Sequence, residues 1–229
     1  MKNGRPDKLG VLGGMGPLAT ADFMTKLMVM TPVQSDLDHI PLIVSSEPQI
    51  PSRGNALSDP ANYPSPLSDL RARVDFLVQA GVQCIAMPCN TAHYWYEEMT
   101  QGLKIPFLHI VEAVIARLEA GGYNGATVGL FGTRATVEGK LYETPLLESG
   151  FKCLLPTNDT LSELVLPAID LVKKNRIPDA RPMLRQAVER MLDAGADVVV
   201  LGCTELPVGL DMTDPWTVKH CIDPTEALA

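Results

Sequence analysis

The chain carries one passage twice. Ala80-Gly81-Val82-Gln83-Cys84-Ile85-Ala86-Met87-Pro88-Cys89-Asn90-Thr91 lies over Ala194-Gly195-Ala196-Asp197-Val198-Val199-Val200-Leu201-Gly202-Cys203-Thr204-Glu205 without a gap. Each copy opens on Ala-Gly, runs through an apolar stretch and reaches a cysteine followed by polar residues. Upstream, Leu9-Gly10-Val11-Leu12-Gly13 matches Val128-Gly129-Leu130-Phe131-Gly132, and the step from Gly13 to Cys89 nearly equals that from Gly132 to Cys203. Two matches at nearly equal spacing predict two similar lobes, each a copy of one unit.

The rest of the chain fits that frame. Short runs rich in β-formers and bounded by glycine or proline predict strands over 9–12, 41–45, 82–87, 106–110, 127–131 and 197–201. Apolar residues at helical spacing predict helices over 17–30, 67–80 and 91–101, one ending near Gly121-Gly122, and others near 136–148, 159–174 and 179–194. Segment 47–66, rich in Pro, Ser and Asn, predicts a loop. Strands alternating with helices imply parallel sheets with ligands at the carboxyl ends of the strands. The expected architecture is α/β: two similar lobes, each a parallel sheet flanked by helices, related by a pseudo-two-fold axis, with the active site between them. Residues 1–112 form the first lobe, completed by 215–229, and residues 113–214 form the second.

Composition narrows the partners. With 27 acidic and 19 basic side chains the net charge is −8, and no basic cluster stands out, which argues against nucleic acid or an anionic membrane. A small acidic substrate needs only one or two cations and stays open. No run approaches the ~18 apolar residues of a membrane span. Residues 1–8 are polar and lead straight into a strand, unlike a signal peptide. The five cysteines are an odd number and read as reduced thiols of a cytoplasmic protein. None has metal-ligand spacing.

Most buried cysteines are small core residues, and Cys84, Cys153 and Cys221 read that way. Cys89 and Cys203 each end a strand and open a polar turn, Asn90-Thr91 or Thr204-Glu205. A thiol near a helix N-terminus is expected to have its thiolate favoured. Two thiols flanking one substrate suit inversion at a carbon, one removing a proton and the other delivering one opposite. The Gly13-Gly14-Met15-Gly16 run has neither a GKS/T ending nor a clean GxGxxG, so a nucleotide site is rejected. His93, one helical turn after Cys89, reads first as packing or capping and second as tuning that thiol.

Leu12-Gly13-Gly14-Met15-Gly16-Pro17-Leu18-Ala19-Thr20, Met87-Pro88-Cys89-Asn90-Thr91-Ala92-His93 and Gly202-Cys203-Thr204-Glu205 resemble the aspartate/glutamate racemase family, and its aspartate racemase branch above all. The resemblance runs from Leu9 to Ala229. It implies two α/β lobes with a site between them, Cys89 and Cys203 as catalytic residues, no pyridoxal phosphate, and usually a homodimer; no cofactor and, from the cysteine spacing, no metal are expected. Pro48-Gln49-Ile50-Pro51-Ser52-Arg53 resembles the family's PQIPxR loop, whose arginine binds the substrate's side-chain carboxylate, as the forked guanidinium does well. Lys173 stands where the family places a second cation, although Lys174 beside it leaves the register open. Asn90, Thr91 and Thr204 match the family's anchors for the α-carboxylate, where donors stabilise charge that develops on proton removal. Met15 and Thr133 are expected to contribute walls and backbone donors. Glu205 is placed either to hydrogen-bond near Cys203 or to cap the turn. The chain's last residues, from Asp223 to Ala229, stop where the family continues through a final helix.

The function expected is cofactor-independent racemisation of an acidic amino acid, aspartate first and glutamate second. The rival readings are hydantoin racemisation or maleate isomerisation on the same scaffold, and a non-catalytic amino-acid-binding protein. Arg53 argues against hydantoins, which have no side-chain carboxylate, and two intact thiols argue against a vestigial site.

Overall fold

The computed structural model describes residues 6–229; residues 1–5, part of the polar opening read above as unlike a signal peptide, lie outside the described residues. The chain divides into two compact units, one running to Ile110 and taking in Leu228–Ala229, the other running from Val111 to Ala227.

In the first unit β1 (Leu9–Gly13) leads into α1 (Pro17–Met30). Then follow β2 (Leu42–Ser46), α2 (Arg53–Ser58), α3 (Leu67–Gln79), β3 (Cys84–Ala86), a 3-10 turn Thr91–Trp95, α4 (Tyr96–Thr100) and β4 (Phe107–Leu108). The sheet order is β2-β1-β3-β4, all parallel. β1 is buried along its whole length, as a strand covered on both faces must be, and its near-continuous apolar sequence follows from that. The helix α3 turns Leu70, Val74 and Leu77 to the sheet, an i, i+4, i+7 stripe, and each such side chain taken fully out of water stabilises by ~1.5–3 kcal/mol.

α5 (Ile110–Ala120) begins at the boundary. The second unit continues with β5 (Thr127–Gly132), α6 (Arg134–Glu138), α7 (Glu143–Glu148), β6 (Lys152–Leu154), a π-helical turn Thr160–Val165 and α8 (Leu166–Lys173). It ends with α9 (Ile177–Asp193), β7 (Val198–Gly202), α10 (Glu205–Gly209), α11 (Pro215–His220), β8 (Cys221–Ile222) and α12 (Pro224–Leu228). Its sheet order is β6-β5-β7-β8, again all parallel. The chain is thus an α/β protein with two four-stranded parallel sheets flanked by helices. Among the described residues no helix is long and apolar enough to cross a membrane.

The repeat survives down to register. Leu9 pairs with Cys84 in the first sheet and Val128 pairs with Val198 in the second, the same positions in the sequence overlay. Before each central strand a helix ends on Ala and a left-handed glycine, Gly81 at φ 78 and Gly195 at φ 101. Both are closed by the same pair of backbone bonds, Gly81 N–H to Val78 and Val82 N–H to Leu77, Gly195 N–H to Leu192 and Ala196 N–H to Met191. This helix stop strongly favours glycine, which is why Ala-Gly recurs. Residues 215–227 belong to the second unit rather than completing the first. There β8 pairs with β7 and takes the edge place that β4 takes in the first sheet, so the second copy would otherwise be a strand short.

Candidate functional site

All strands of each sheet run the same way, so the turns after them gather at one edge. In the first unit β1 ends on Gly13, and a Cβ there would lie 2.3 Å from the Thr20 side chain. Gly14 has φ +90 and its Cβ would fall 2.2 Å from the Glu47 amide nitrogen. Without side chains, Gly14 N–H donates to Thr20 Oγ1 (2.8 Å) and Glu47 N–H donates to the Gly13 carbonyl (3.2 Å). The glycine run therefore lets the chain leaving β2 close over the end of β1. Met15, buried at 3% exposure, enters the apolar core beside Ile50, Met87 and Cys89.

Beyond β2, Ser52 caps α2 by accepting from Asn55 N–H (3.3 Å), and Arg53 is its first residue. One guanidinium nitrogen, Nη1, donates to the carbonyls of Ile50 and Pro51, both at 3.0 Å. The loop thus grips the head of Arg53 and limits its rotamer freedom. Gln49 is exposed, and its N–H donates to Glu47 Oε1 (3.3 Å).

After β3, Pro88 brings no donor to a ladder. Cys89 N–H then turns back to the Met87 carbonyl (2.8 Å), and the thiol side chain is buried in the core. Asn90 and Thr91 are buried, and the Asn90 carbonyl accepts from His93 N–H (3.0 Å). His93 is buried as well; its Nδ1–H donates to the Cys89 carbonyl (2.9 Å), and Ile110 N–H donates to its Nε2 (3.2 Å).

The second unit repeats the turn. Cys203 N–H donates to the Leu201 carbonyl (2.7 Å), and the side chain joins the core of this unit. Thr204 and Glu205 are buried, Thr204 at the start of α10. On the neighbouring strand Thr133 follows β5, and its Oγ1 accepts from Thr136 N–H (3.2 Å); Gly132 and Gly202, which precede Thr133 and Cys203, are register partners.

The Cys203 thiol donates to Glu205 Oε2 at 3.0 Å. Burial, then the Glu205 carboxylate, raises the Cys203 pKa well above its ordinary value, with the Lys173 ammonium offsetting this in part. The expectation that a strand-end thiolate would be favoured is overturned for Cys203. A helix terminus is worth ~0.3–1 kcal/mol, less than one pKa unit, whereas full burial is worth up to several. The five-residue α10 cannot outweigh that. Lys173 lies within electrostatic reach of Cys203, while Lys174 pairs with Asp170 at 2.5 Å.

Two residues near Cys203 escaped the sequence reading. Tyr142 is fully buried, and burial, then Asp223 and Cys203, pushes its pKa well up. Asp223 follows β8 and caps α12, its Oδ1 accepting from Thr225 N–H (2.8 Å) and Thr225 Oγ1–H (2.6 Å). The strand-end Asp-Pro-Thr sequence signals such a cap. Nothing in the sequence around Tyr142 singles it out. Among the described residues no group of three or more His, Cys, Asp or Glu is placed to hold a metal ion.

Paired α/β sheets with a buried cysteine at the carboxyl end of the matching strand in each define a class, and the sequence agrees with it. The chain belongs to the Asp/Glu/hydantoin racemase family, whose sequence profile matches residues 12–229, and it is an isomerase of the racemase type. Among individual proteins it is similar to the broad specificity amino-acid racemase RacX of Bacillus subtilis, at 28% identity over 207 residues, 89% of this chain and 87% of that one. It is also similar to the aspartate racemase of Picrophilus torridus, at 31% identity and TM-score 0.80 over 96% of this chain and 90% of that one. A glutamate racemase of Deinococcus radiodurans is 30% identical over 159 residues, 66% of this chain and 54% of that protein.

Proposed function

We propose that the chain racemises an acidic amino acid, aspartate before glutamate, by proton transfer at Cα between Cys89 and Cys203 and without pyridoxal phosphate. The observation that carries this reading is that one backbone turn, an N–H folded back on the carbonyl two residues earlier, holds a buried cysteine at the same place in both sheets. The similarity to an aspartate racemase at 31% identity favours aspartate, and Arg53 supplies the cation for a side-chain carboxylate. Lys173 supplies a second, while Asn90, Thr91 and Thr204 offer donors to the α-carboxylate, with Gln49, Met15 and Thr133 as the surrounding wall.

The mechanism requires the thiols to act on opposite faces of one Cα. We assign Cys203, whose thiol donates to Glu205, as the acid of the resting enzyme and Cys89 as the base. Cys89 thiolate takes the α-proton and its electron pair passes into the carboxylate-stabilised carbanion. That carbanion then takes the Cys203 proton from the other side. The product leaves with inverted configuration, Cys89 as thiol and Cys203 as thiolate. The enzyme resets by exchanging one proton with water. The thiolate left beside the Glu205 carboxylate is disfavoured, so reprotonation there runs downhill. Free thiols suit a cytoplasmic protein, and the homodimer that the family resemblance implies would be checked by sedimentation.

Racemising L-aspartate in D2O tests the reading. Deuterium is expected in the D-aspartate product from the first turnover, with recovered L-aspartate largely protiated. Cys89→Ser and Cys203→Ser are each expected to abolish racemisation, because serine is a far weaker acid and base near neutral pH. Either mutant racemising at near the wild-type rate, on chiral chromatography, ends the two-thiol mechanism.

A further inference from the structure

The imidazole of His93 has both nitrogens engaged. Nδ1 lies 2.9 Å from the Cys89 carbonyl, which can only accept, so the proton sits on Nδ1. Nε2 receives Ile110 N–H at 3.2 Å, which leaves it as the acceptor. Ile110 opens α5, where backbone N–H groups lack helical partners. The ring is fixed in place by its neighbours: Tyr96 stacks on it with centroids 6.0 Å apart and 9° between planes, and His109 meets it edge-on at 4.7 Å. Tyr96 is itself tied down, its hydroxyl donating to the Phe107 carbonyl at 2.8 Å. A side chain held by two opposed hydrogen bonds and two ring contacts has one rotamer, and what it touches is fixed with it.

The second copy of the repeat supplies a comparison. Position 93 overlays on Pro207, which has no side-chain donor. There the carbonyl of Cys203 accepts from the backbone N–H of Leu206 at 2.9 Å. The two turns share their backbone, but only the first joins its cysteine carbonyl to an imidazole.

We propose that His93 is a positioning residue for Cys89: as a neutral imidazole protonated on Nδ1, it joins the Cys89 carbonyl to the Ile110 amide and so fixes the turn that aims the thiol. The inference rests on the reading of Cys89 as a proton-transfer group. It differs from mere ring packing, which phenylalanine would satisfy, and from tuning by a nearby positive charge. Burial, and then the charge of His109, lower the His93 pKa to about 3, and the positive end of a helix disfavours imidazolium in the same sense.

Three substitutions separate the roles. Asparagine at 93 places an amide donor near the position of Nδ1, glutamine reaches toward that of Nε2, and phenylalanine keeps ring bulk with neither. With L-aspartate as substrate, H93F and H93Q are expected to lose about tenfold or more in kcat, with KM within about twofold of wild type, while H93N returns to within about threefold. The iodoacetamide alkylation rate of Cys89, read on its own peptide by mass spectrometry, is expected to change in H93F and H93Q and to be restored in H93N, with the Cys203 peptide unaffected. Nitrogen-15 spectra of the histidine rings are expected to show His93 as the Nδ1–H tautomer at neutral pH. A proton on Nε2, or equal kcat and equal Cys89 alkylation across the three variants, overturns the proposal. If H93F does not fold, the contrast between H93N and H93Q decides. Alkylation and tautomer need no turnover, so a wild-type enzyme that failed to racemise aspartate would refute the proposed function and leave this inference to be judged on those two measurements.

Discussion

At the scale of single residues, the two thiols share a turn but not their companions. Thr91 and His93 follow Cys89 where Glu205 and Pro207 follow Cys203. The Glu205 carboxylate is one of the causes holding the Cys203 pKa up, so Glu205→Gln is expected to lower it and to speed alkylation of Cys203 at mildly alkaline pH. An unchanged rate on the Cys203 peptide would show that burial alone holds that proton. Arg53→Ala is expected to cut kcat/KM for aspartate by tenfold to over a hundredfold, the worth of one charged hydrogen-bonded contact at ~1.5–3 kcal/mol, with little effect on alanine turnover. Equal losses on both substrates would assign Arg53 to holding the loop through Ile50 and Pro51. That Cys89 and Cys203 follow strands is legible because each ends a recognisable local pattern. The loop expected over 47–66 in fact holds the short helix α2, whose six residues are too few for a period to show among the Pro, Ser and Asn around them. The direction of the Cys203 pKa is not legible either, since it depends on depth of burial and on a carboxylate orientation that spacing does not encode.

At the scale of elements, legibility follows length. β1, β5 and β7 are runs of five or six residues, largely apolar and buried throughout or nearly so, and they stand out in the sequence. β6 has three residues and β8 two, too few for any period to show, so the edges of the second sheet are not legible in the sequence, and neither is the place of residues 215–227 beside that sheet. The single helix expected over 136–148 is two, α6 and α7, separated at Gly139 and at Lys140 with φ 62. Glycines make the same point energetically. Gly13→Ala would press a methyl against Thr20 and is expected to cost ~1–3 kcal/mol, as overpacking does. Gly54, inside α2 with open space at its Cβ, should instead gain ~0.5–1 kcal/mol on conversion to alanine. Urea unfolding of both variants checks the contrast; destabilisation by Gly54→Ala would mean that α2 needs its freedom.

At the scale of the molecule, buried titratable groups bound the stable pH range. The His93 pKa is lowered to about 3, so between about 6.5 and 3 the unfolded chain takes up a proton that the folded one refuses. Stability is full above that window and falls as pH drops through it. The thiols act at the other end. Burial pushes Cys153 to about 11 and Cys221 to about 12, with Cys203 also raised. Above pH ~9 the unfolded chain releases protons that the folded one keeps, and stability declines again. Thermal unfolding across pH is expected to show a plateau between these limits, and H93N should flatten its acid side. An acid limb unchanged in H93N would place that proton uptake elsewhere.

The unequal surroundings of the two cysteines also meet a constraint from outside the protein. Mirror-image amino acids have the same free energy in water, so the equilibrium constant of their interconversion is one. For any racemase, kcat/KM must then be equal in the two directions. The Glu205 carboxylate beside Cys203 and the His93 ring beside the Cys89 carbonyl cannot favour either hand at equilibrium. They can only raise or lower kcat and KM together for one enantiomer relative to the other, so the hand that turns over faster must be the hand with the higher KM.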